Sequence, residues 1–568
     1  MRLAAIITDG MVLQRDRVNH IWGEAEPGEE IEIIFLDKSY RAIADADGSF
    51  CVGMDPAKAG GPYEMRIYAE HIDAAPVKYK TGIVHDESSD RDTVTVRDIL
   101  IGEVWFAGGQ SNMELELQNC DHGLDEVHTA GYSDIRFYNT PKYPAVDQGL
   151  YEVESDTKWR YVTGDECREM SAVAYYFAVK LHDTLGVPIG IVDCYIGGTS
   201  VTCWIPEEDA YKPADDQCPV KPDTTALMAY LDEWRRDIDS IPDEKYEKEL
   251  GAYTALVDEW NQKVEALKKE DPDIRMEEIN EKAGLYPWPP PRGARSQYRP
   301  FGLYESMVRR VAPYGIRGFI YYQGEEDVDR SESYGLLLSR LIDRWRKDFG
   351  EPGLPFFITQ LPMFVDKADT AEKDIRDIRK FTGIREQQAA VCASKKADGM
   401  AVLIDCGEYD NIHPTDKKTP GERLALQVMG SVYKCVEEYK APEAVEVRFD
   451  GSEAVIRCDN TYGRLCYIRT NEAGPLTGVG LHDLSDEERR DRLIPVGTSP
   501  DENGVYGFEV SEDGERFVKA RICADGDTIR VTSDEAGSIS AVRYGWFDYG
   551  VANLYNAAGL PMAPFFKD

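Results

Sequence analysis

Residues 102–114, GEVWFAGGQSNME, contain the clearest signal for the fold class of the chain. The apolar run from Val104 to Ala107 is typical of a strand buried on both faces. Gly108 and Gly109 permit a sharp turn that a Cβ would obstruct. The stretch therefore predicts a strand, a turn and a helix start. This puts Ser111 at the carboxyl edge of a sheet, where open α/β sheets bind ligands.

Ser111 has two possible roles in this stretch. Ser111 and Glu114 have the spacing of a capping box, in which the serine only caps the helix. Alternatively, Ser111 is a nucleophile, and the N–H groups of the helix start stabilise an oxyanion beside it. The stretch alone favours capping, because catalysis also needs a base, an acid and a second oxyanion donor from elsewhere in the chain.

The composition limits the partners and the location of the protein. The chain has 568 residues, enough for three or more structural units, and a formal net charge of −39. Such a charge argues against nucleic acid or an anionic membrane surface as a partner.

No run of 18 or more apolar residues is present. The first nine residues lack the apolar region of a signal peptide, so we expect a cytoplasmic protein, with export possible if a leader was removed. Twelve scattered cysteines predict reduced thiols, although an exported protein could form some disulfides.

The order of strand-like and helical segments predicts an α/β core with additions. Short strands separated by turns predict an N-terminal β-sandwich-like domain over residues 1–95. Strands alternate with helices over residues 96–205 and 300–439, which predicts a parallel sheet with helices on both faces. Residues 206–299 carry two amphipathic seams and predict a helical insertion, either an overhang of the active site or a homo-oligomer contact. Residues 440–568 predict a second β-domain and a tail. The strands expected in the core are Val104–Ala107, Ile189–Tyr195, Gly318–Tyr322, Pro355–Gln360 and Met400–Asp405.

His413 has the best context of the eight histidines for a catalytic base. It lies in Asp410-Asn411-Ile412-His413-Pro414, after the last predicted strand of the core. A loop there lies at the same sheet edge as Ser111. Asp410, three residues earlier, is close enough in sequence to accept a hydrogen bond from the imidazole and fix its tautomer. The other interpretation is a surface Asp-x-x-His turn that ends at a proline.

Two more segments end predicted strands at this edge. The backbone of Ile196-Gly197-Gly198-Thr199 offers N–H groups without obstructing side chains, and Gln323 offers a carboxamide donor next to Gly324. Gly-Gly pairs are usually turns, and a single Gln is usually only polar. The order Ser, Gly-Gly, Gln and Asp-x-x-His at four strand ends is much less expected by chance.

These motifs together resemble the sialate O-acetylesterase family of SGNH (GDSL-like) hydrolases, and are similar also to certain acetylxylan esterases. The resemblance covers most of the chain. Its most specific parts are Gly109–Glu114 and Asp410–Pro414. The other matching segments are Asp9–Arg15, Gly102–Trp105, Gly197–Thr199 with Trp204, Gly302–Tyr304, Ile316–Gly318, Tyr322–Glu325, Ile384–Glu386 and Asn553–Asn556. The family implies a flavodoxin-like three-layer sandwich with accessory β-domains.

The resemblance also implies roles for individual residues. Ser111 would be the nucleophile, His413 the general base and then acid, and Asp410 the residue that orients His413. The N–H groups of Ser111 and Gly198 and the side chain of Gln323 would form the oxyanion hole. No metal or cofactor would be needed. The substrate-binding candidates are Gln110, Asn112, Glu325 and Arg385.

The sequence departs from the family pattern at two places. Glu326-Asp327 stands where relatives usually have Ser-Asn, and Leu115-Glu116-Leu117 stands where relatives often have an aromatic residue. These positions are expected to shape the substrate side of the pocket. The leading hypothesis is a carbohydrate O-acetylesterase acting on sialic acid or an acetylated polysaccharide. The alternatives are a general short-chain carboxylesterase and a non-catalytic carbohydrate-binding protein.

Overall fold

The structure is a computed structural model that describes residues 1–70, 91–213, 222–271, 274, 276–371, 377–470, 485–499 and 504–568. The parts of the predicted N-terminal domain and helical insertion at 71–90 and 214–221 lie outside the described residues, as do His71, His85, His482 and Cys218. The described chain is a mixed α/β protein with several sheets, as predicted. In this part of the chain, none of the helices combines the length and apolar character that a membrane crossing needs.

Strands dominate both ends of the chain, and most of the helices lie between them. The strands up to residue 322 are β1 Arg2–Leu3, β2 Val12–Gln14, β3 Asn19–Glu24, β4 Glu30–Phe35, β5 Lys38–Ile43, β6 Ser49–Met54, β7 Gly60–Glu70, β8 Arg91–Gly109, β9 Gly131–Asn139, β10 Arg160–Thr163, β11 Ile189–Tyr195 and β12 Gly318–Tyr322. The later strands are β13 Phe356–Gln360, β14 Gly399–Val402, β15 Glu443–Asp450, β16 Glu453–Asp459, β17 Leu465–Ile468, β18 Leu493–Pro495, β19 Phe508–Ser511, β20 Phe517–Lys519, β21 Arg521–Asp525, β22 Thr528–Thr532, β23 Ala541–Tyr544, β24 Leu554–Asn556 and β25 Phe565–Lys567. The helices are α1 Ser111–Glu114, α2 Gly123–Thr129, α3 Gln148–Asp156, α4 Ala172–Leu185, α5 Glu207–Tyr211, α6 Thr225–Glu233, α7 Asp243–Glu270, α8 Met276–Ala283, α9 Arg309–Val311, α10 Ser331–Asp348, α11 Thr382–Ala393, α12 Lys418–Ser431 and α13 Asp486–Asp491.

The chain divides into two compact units. The first contains Met1–Lys212, Pro300–Tyr321 and Arg340–Phe356. The second contains Pro213–Arg299, Tyr322–Ser339 and Phe357–Asp568. The five domain ranges expected from the sequence stay a prediction.

The first unit is organised around β8. Its carboxyl half pairs in parallel with β11, from Glu103 opposite Ile189 to Gly109 opposite Tyr195. The strand order there is β10-β9-β11-β8-β12. The amino half of β8 pairs with β7 instead, so one strand of 19 residues runs through the predicted domain boundary at residue 95.

Packing around β8 explains its apolar sequence. Trp105 and Phe106 are fully buried, and the Phe106 ring meets Trp345 at a centroid distance of 5.1 Å. A Cβ on Gly108 would lie 2.8 Å from the Trp345 ring, so this glycine makes room for an aromatic side chain. Gly109 has φ +145°, a conformation that favours glycine, so it alone of the pair meets the turn requirement predicted from the sequence.

The second unit contains the parallel pair β13 and β14. β14 ends at Val402 rather than at Asp405 as predicted. The reason is Arg423, whose guanidinium donates to the Val402 carbonyl at 2.7 Å and to the Asp405 carboxylate at 2.7 Å. After α12, three further sheets follow, with the strand orders β15-β16-β22-β21, β18-β17-β24 and β20-β19-β23-β25.

In the helical segment of the second unit, the first predicted amphipathic seam is buried as expected. The second seam packs against a helix that was not predicted. Leu227, Leu231, Trp234 and Ile238 are all buried on α6 and the turn that follows it. On α7, Val264 packs instead against Ile279 of α8, a helix that the seams did not predict. The cluster consists of residues of α7, α8 and the segment between them.

Candidate active site

Ser111 is the first residue of α1, directly after β8. The N-cap position is Gln110, and no side chain caps the helix there. The capping-box interpretation of Ser111 is therefore wrong, because a capping serine would stand one residue earlier relative to the helix. Ser111 is half-buried. Its position at the end of a buried strand agrees with the requirement for a nucleophile at a sheet edge.

The loop that follows β11 lies against Ser111. A Cβ placed on Gly197 would be 3.2 Å from Ser111 Cβ and 3.0 Å from Glu114 Oε2, closer than side chains normally pack. The Gly197 N–H donates to the Glu114 carboxylate, and Gly198 has φ +69°, in the left-handed region. The structure thus brings Ser111 together with the Gly-Gly segment, and it favours glycine at both positions.

Gln110 and Asn112, two predicted substrate-binding residues, flank Ser111. They are 2% and 0% exposed, and both side chains lie inside the protein. Their role in binding stays a prediction. Their burial fixes the backbone on each side of Ser111.

Gln323 follows β12 and belongs to the second unit. Its side-chain Nε2 donates to Asp327 Oδ2 at 2.6 Å. Its main-chain carbonyl accepts from the Tyr334 hydroxyl at 2.9 Å and from Gln388 Nε2 at 3.1 Å. Both the backbone and the carboxamide of Gln323 are therefore held in place. Gly324 has φ +150°, and a Cβ there would lie 2.8 Å from Ile384.

The segment after Gly324 is acidic and largely inside the protein. Glu325 and Asp327 are buried. Burial, aided by the charge of Asp327, raises the pKa of Glu326 to about 7. The departure from the family pattern at 326–327 therefore introduces a titratable group and the carboxylate that holds Gln323.

His413 lies in the loop between β14 and α12, half-buried. Its main-chain N–H donates to Asn411 Oδ1 at 3.0 Å. Burial, together with the positive charge of Lys417, lowers the pKa of the His413 imidazole to about 4. This imidazole is therefore neutral at neutral pH, as a general base must be.

Asp410 differs from its predicted geometry. Its Oδ1 accepts from the Lys367 main-chain N–H at 2.9 Å, and Asn280 Nδ2 lies 3.5 Å from Oδ2. Among the residues that the structure describes, no hydrogen bond joins the Asp410 carboxylate to the His413 ring. The residue has φ +54° and closes a tight loop instead. Its proposed orienting role thus lacks the expected contact.

Glu408 was not predicted, and it braces the loop that carries His413. Its Oε1 accepts from the Thr415 hydroxyl at 2.8 Å, and its Oε2 accepts from Asn411 Nδ2 at 2.7 Å. No motif marks this role in the sequence. The only available signal was a carboxylate five residues before the histidine in a predicted loop.

Arg385 lies on α11 and is 1% exposed. Its guanidinium donates to four main-chain carbonyls, those of Leu361, Pro362, Phe547 and Asp548, at 2.8–3.2 Å. This geometry supports a structural role, and the expected contact with substrate receives no support from it.

Arg385→Met should therefore destabilise the fold rather than weaken substrate binding. Four buried carbonyls would lose their donor, which should lower the free energy of unfolding by about 3 kcal/mol or more. Thermal unfolding and the KM for an acetyl ester measure the two effects separately. Arg448→Met, at an arginine whose side chain is 76% exposed, is the matched control and should change neither. A raised KM with an unchanged melting temperature would restore the binding role.

Among the described residues, no group of three or more His, Cys, Asp or Glu side chains is arranged to hold a metal ion. The eleven described cysteines are all free thiols. The parts of the predicted site are divided between the units. Ser111 and Gly198 lie in the first unit, whereas Gln323, Glu325, Arg385, Asp410 and His413 lie in the second.

Comparison with known proteins gives consistent matches. The profile of the family described as carbohydrate esterase, sialic acid-specific acetylesterase matches residues 292–427. The sialate O-acetylesterase of Mus musculus is 25% identical over 466 residues, which cover 76% of this chain and 73% of the mouse protein. The Homo sapiens sialate O-acetylesterase is 24% identical over 479 residues, which cover 78% of this chain and 74% of the human protein. The crystal structure of a carbohydrate acetylesterase from Xanthomonas citri has a TM-score of 0.68 and 26% identity, and covers 100% of this chain and 99% of that one.

These matches and the fold define the class of the protein as a carboxylic-ester hydrolase. The matching profile and relatives are those of the sialate O-acetylesterase family, which confirms the resemblance found in the motifs of this chain.

Proposed function

We propose that this protein removes acetyl groups from an O-acetylated carbohydrate through an acetyl-enzyme formed on Ser111. The observation that carries the proposal is Ser111 at the end of β8, with the Gly197-Gly198 segment packed against it. A serine at a helix start, beside a glycine segment whose backbone can supply N–H donors, is the arrangement that acyl transfer requires. We further propose that the core is the flavodoxin-like, three-layer sandwich of SGNH hydrolases.

In the proposed mechanism, His413 accepts the Ser111 proton as the hydroxyl attacks the acetyl carbonyl. The N–H groups of Ser111 and Gly198 and the Gln323 carboxamide stabilise the resulting oxyanion. A carboxamide nitrogen carries two hydrogens, so the bond to Asp327 fixes the direction of the Gln323 amide. His413 then protonates the leaving sugar oxygen, which departs as a hydroxyl group, and activates the water that attacks the acetyl-enzyme and releases acetate. Asp410 is proposed to orient His413, and Gln110, Asn112 and Glu325 are proposed to line the sugar side.

The substrate is proposed to be an O-acetylated sialic acid, because the curated relatives are named for that activity. Acetylated polysaccharide is the second candidate, because the Xanthomonas citri relative is described as a carbohydrate acetylesterase. The cytoplasmic location, a possible homo-oligomer and the exclusion of nucleic-acid and membrane partners stay predictions from the sequence.

Acetate release from a panel of substrates tests the proposal. The panel contains O-acetylated sialic acids, acetylated xylan, acetylated mannan, p-nitrophenyl acetate and p-nitrophenyl butyrate. We expect at least one acetylated sugar to be cleaved with a higher kcat/KM than either nitrophenyl ester. Equal rates on acetate and butyrate esters without sugar preference would favour a general short-chain carboxylesterase. Sugar binding without acetate release from any substrate would favour a non-catalytic carbohydrate-binding protein.

A further inference from the structure

Glu114, one helical turn after Ser111, has a contact to each of its two carboxylate oxygens. One oxygen accepts the N–H of Gly197, and the other pairs with Lys142 Nζ. Lys142 Nζ also lies 5.0 Å from the centroid of the Tyr195 ring, on the strand end that leads into the glycine segment. The Glu114 and Lys142 side chains are 28% and 41% exposed. All of these residues belong to the first unit.

We infer that Glu114 is a positioning residue that sets the backbone at Gly197, and hence the direction of the Gly198 N–H, and that Lys142 neutralises the Glu114 charge beside Ser111. This inference rests on the proposed function, because it assigns the Gly198 N–H to the oxyanion. The hydrogen bond to Glu114 occupies the Gly197 N–H and fixes the orientation of the next peptide, which carries the Gly198 N–H. Positioning of this kind is what preorganised oxyanion donors require.

Lys142 has a different role, which is to neutralise the charge of Glu114. A carboxylate one helical turn from the nucleophile opposes negative charge that develops on the substrate oxygen. A cation in contact with that carboxylate cancels most of this repulsion. The pair would contribute little to stability, because both side chains are partly in water. Its effect is therefore expected in the rate rather than in the folding of the protein.

Steric contact supports this interpretation. Glu114 makes no capping bond to the start of α1, so the capping-box role does not explain it. A Cβ on Gly197 would meet both Glu114 Oε2 and Ser111 Cβ. The carboxylate, the glycine and the serine therefore form one packed group, in which moving Glu114 moves the loop.

A double-mutant cycle tests the inference with p-nitrophenyl acetate, with kcat, KM and the melting temperature measured for each variant. Lys142→Met should lower kcat by about tenfold, with KM and melting temperature nearly unchanged, because the Glu114 charge is then uncompensated. Glu114→Gln keeps an oxygen acceptor for Gly197 and should have a much smaller effect. The double variant Glu114→Gln with Lys142→Met should regain most of the activity that Lys142→Met loses. Glu114→Ala, which removes the acceptor, should lower kcat by about tenfold or more.

The control is Lys38→Met, which breaks the exposed ion pair with Asp55 in the same unit and should leave kcat unchanged. Additive losses in the cycle, or a Lys142→Met enzyme as active as wild type, would overturn the inference. A wild-type enzyme inactive on every ester would instead contradict the proposed function. The two failures are therefore distinguishable.

Discussion

Ser111→Ala should lower acetate release by about four orders of magnitude or more and leave the fold intact. Alanine cannot form the acetyl-enzyme, and what activity remains would come only from binding and the oxyanion donors. The fold should tolerate the change, because the Ser111 side chain caps no helix. The measurement is acetate release from the best substrate of the panel, together with the melting temperature.

Ser171→Ala is the matched control for this variant. Ser171 is the buried N-cap of α4, and its hydroxyl accepts from the Ala174 N–H at 3.1 Å. Its loss should cost about 1 kcal/mol of stability and leave the chemistry unchanged. The two serines should therefore give opposite results: one loses rate and keeps stability, and the other does the reverse. Comparable rates for Ser111→Ala and wild type would exclude Ser111 as the nucleophile.

The strands of the core could be predicted because burial on both faces leaves a continuous apolar run. Ile189–Tyr195 and Gly318–Tyr322 match the observed strands to the residue. β14 was predicted too long, because its end is set by a hydrogen bond from Arg423 on a later helix. Such a long-range contact has no local pattern. For the same reason, the sequence did not predict that α8 packs against the apolar seam of α7.

The candidate site likewise contains features that a local sequence pattern predicts and features that depend on long-range contacts. Ser111 and the Gly197-Gly198 pair could be predicted from strand ends and glycine chemistry. Glu114 was given a capping role, because its spacing from Ser111 is what a capping box also requires. Its actual partner, Gly197, is 83 residues away in the sequence. Arg385 was a substrate-binding candidate from the family resemblance, whereas its four carbonyl partners support a structural role.

His413→Ala should be the second most damaging change, with a loss of about four orders of magnitude in kcat/KM for acetyl esters. Without the imidazole, no group is proposed to accept the Ser111 proton or to activate water. The fold should be retained, because the contact that the structure gives to His413 uses its main-chain N–H. The matched control is Lys418→Met, on the exposed first residue of α12, which should keep full activity.

The pH profile of the wild-type enzyme tests the state of His413 more finely. The imidazole is a base only when neutral, and burial with Lys417 lowers its pKa from 6.5 to about 4. Activity should therefore persist as the pH falls below 6.5 and be lost only near pH 4. Lys417→Met removes the nearby positive charge and should move this acid limb to higher pH.

The pH at which activity is lost on the acid side of the profile also tests whether the Asp410 carboxylate bonds to the His413 imidazole. A carboxylate bonded to the imidazole would stabilise the charged ring and raise its pKa, so a limb at or above pH 6.5 would mean that Asp410 engages His413 in the working enzyme. Glu326, with a pKa of about 7, could produce a limb in the same range. Glu326→Gln separates the two, because a limb that belongs to His413 survives this substitution and a limb that belongs to Glu326 does not.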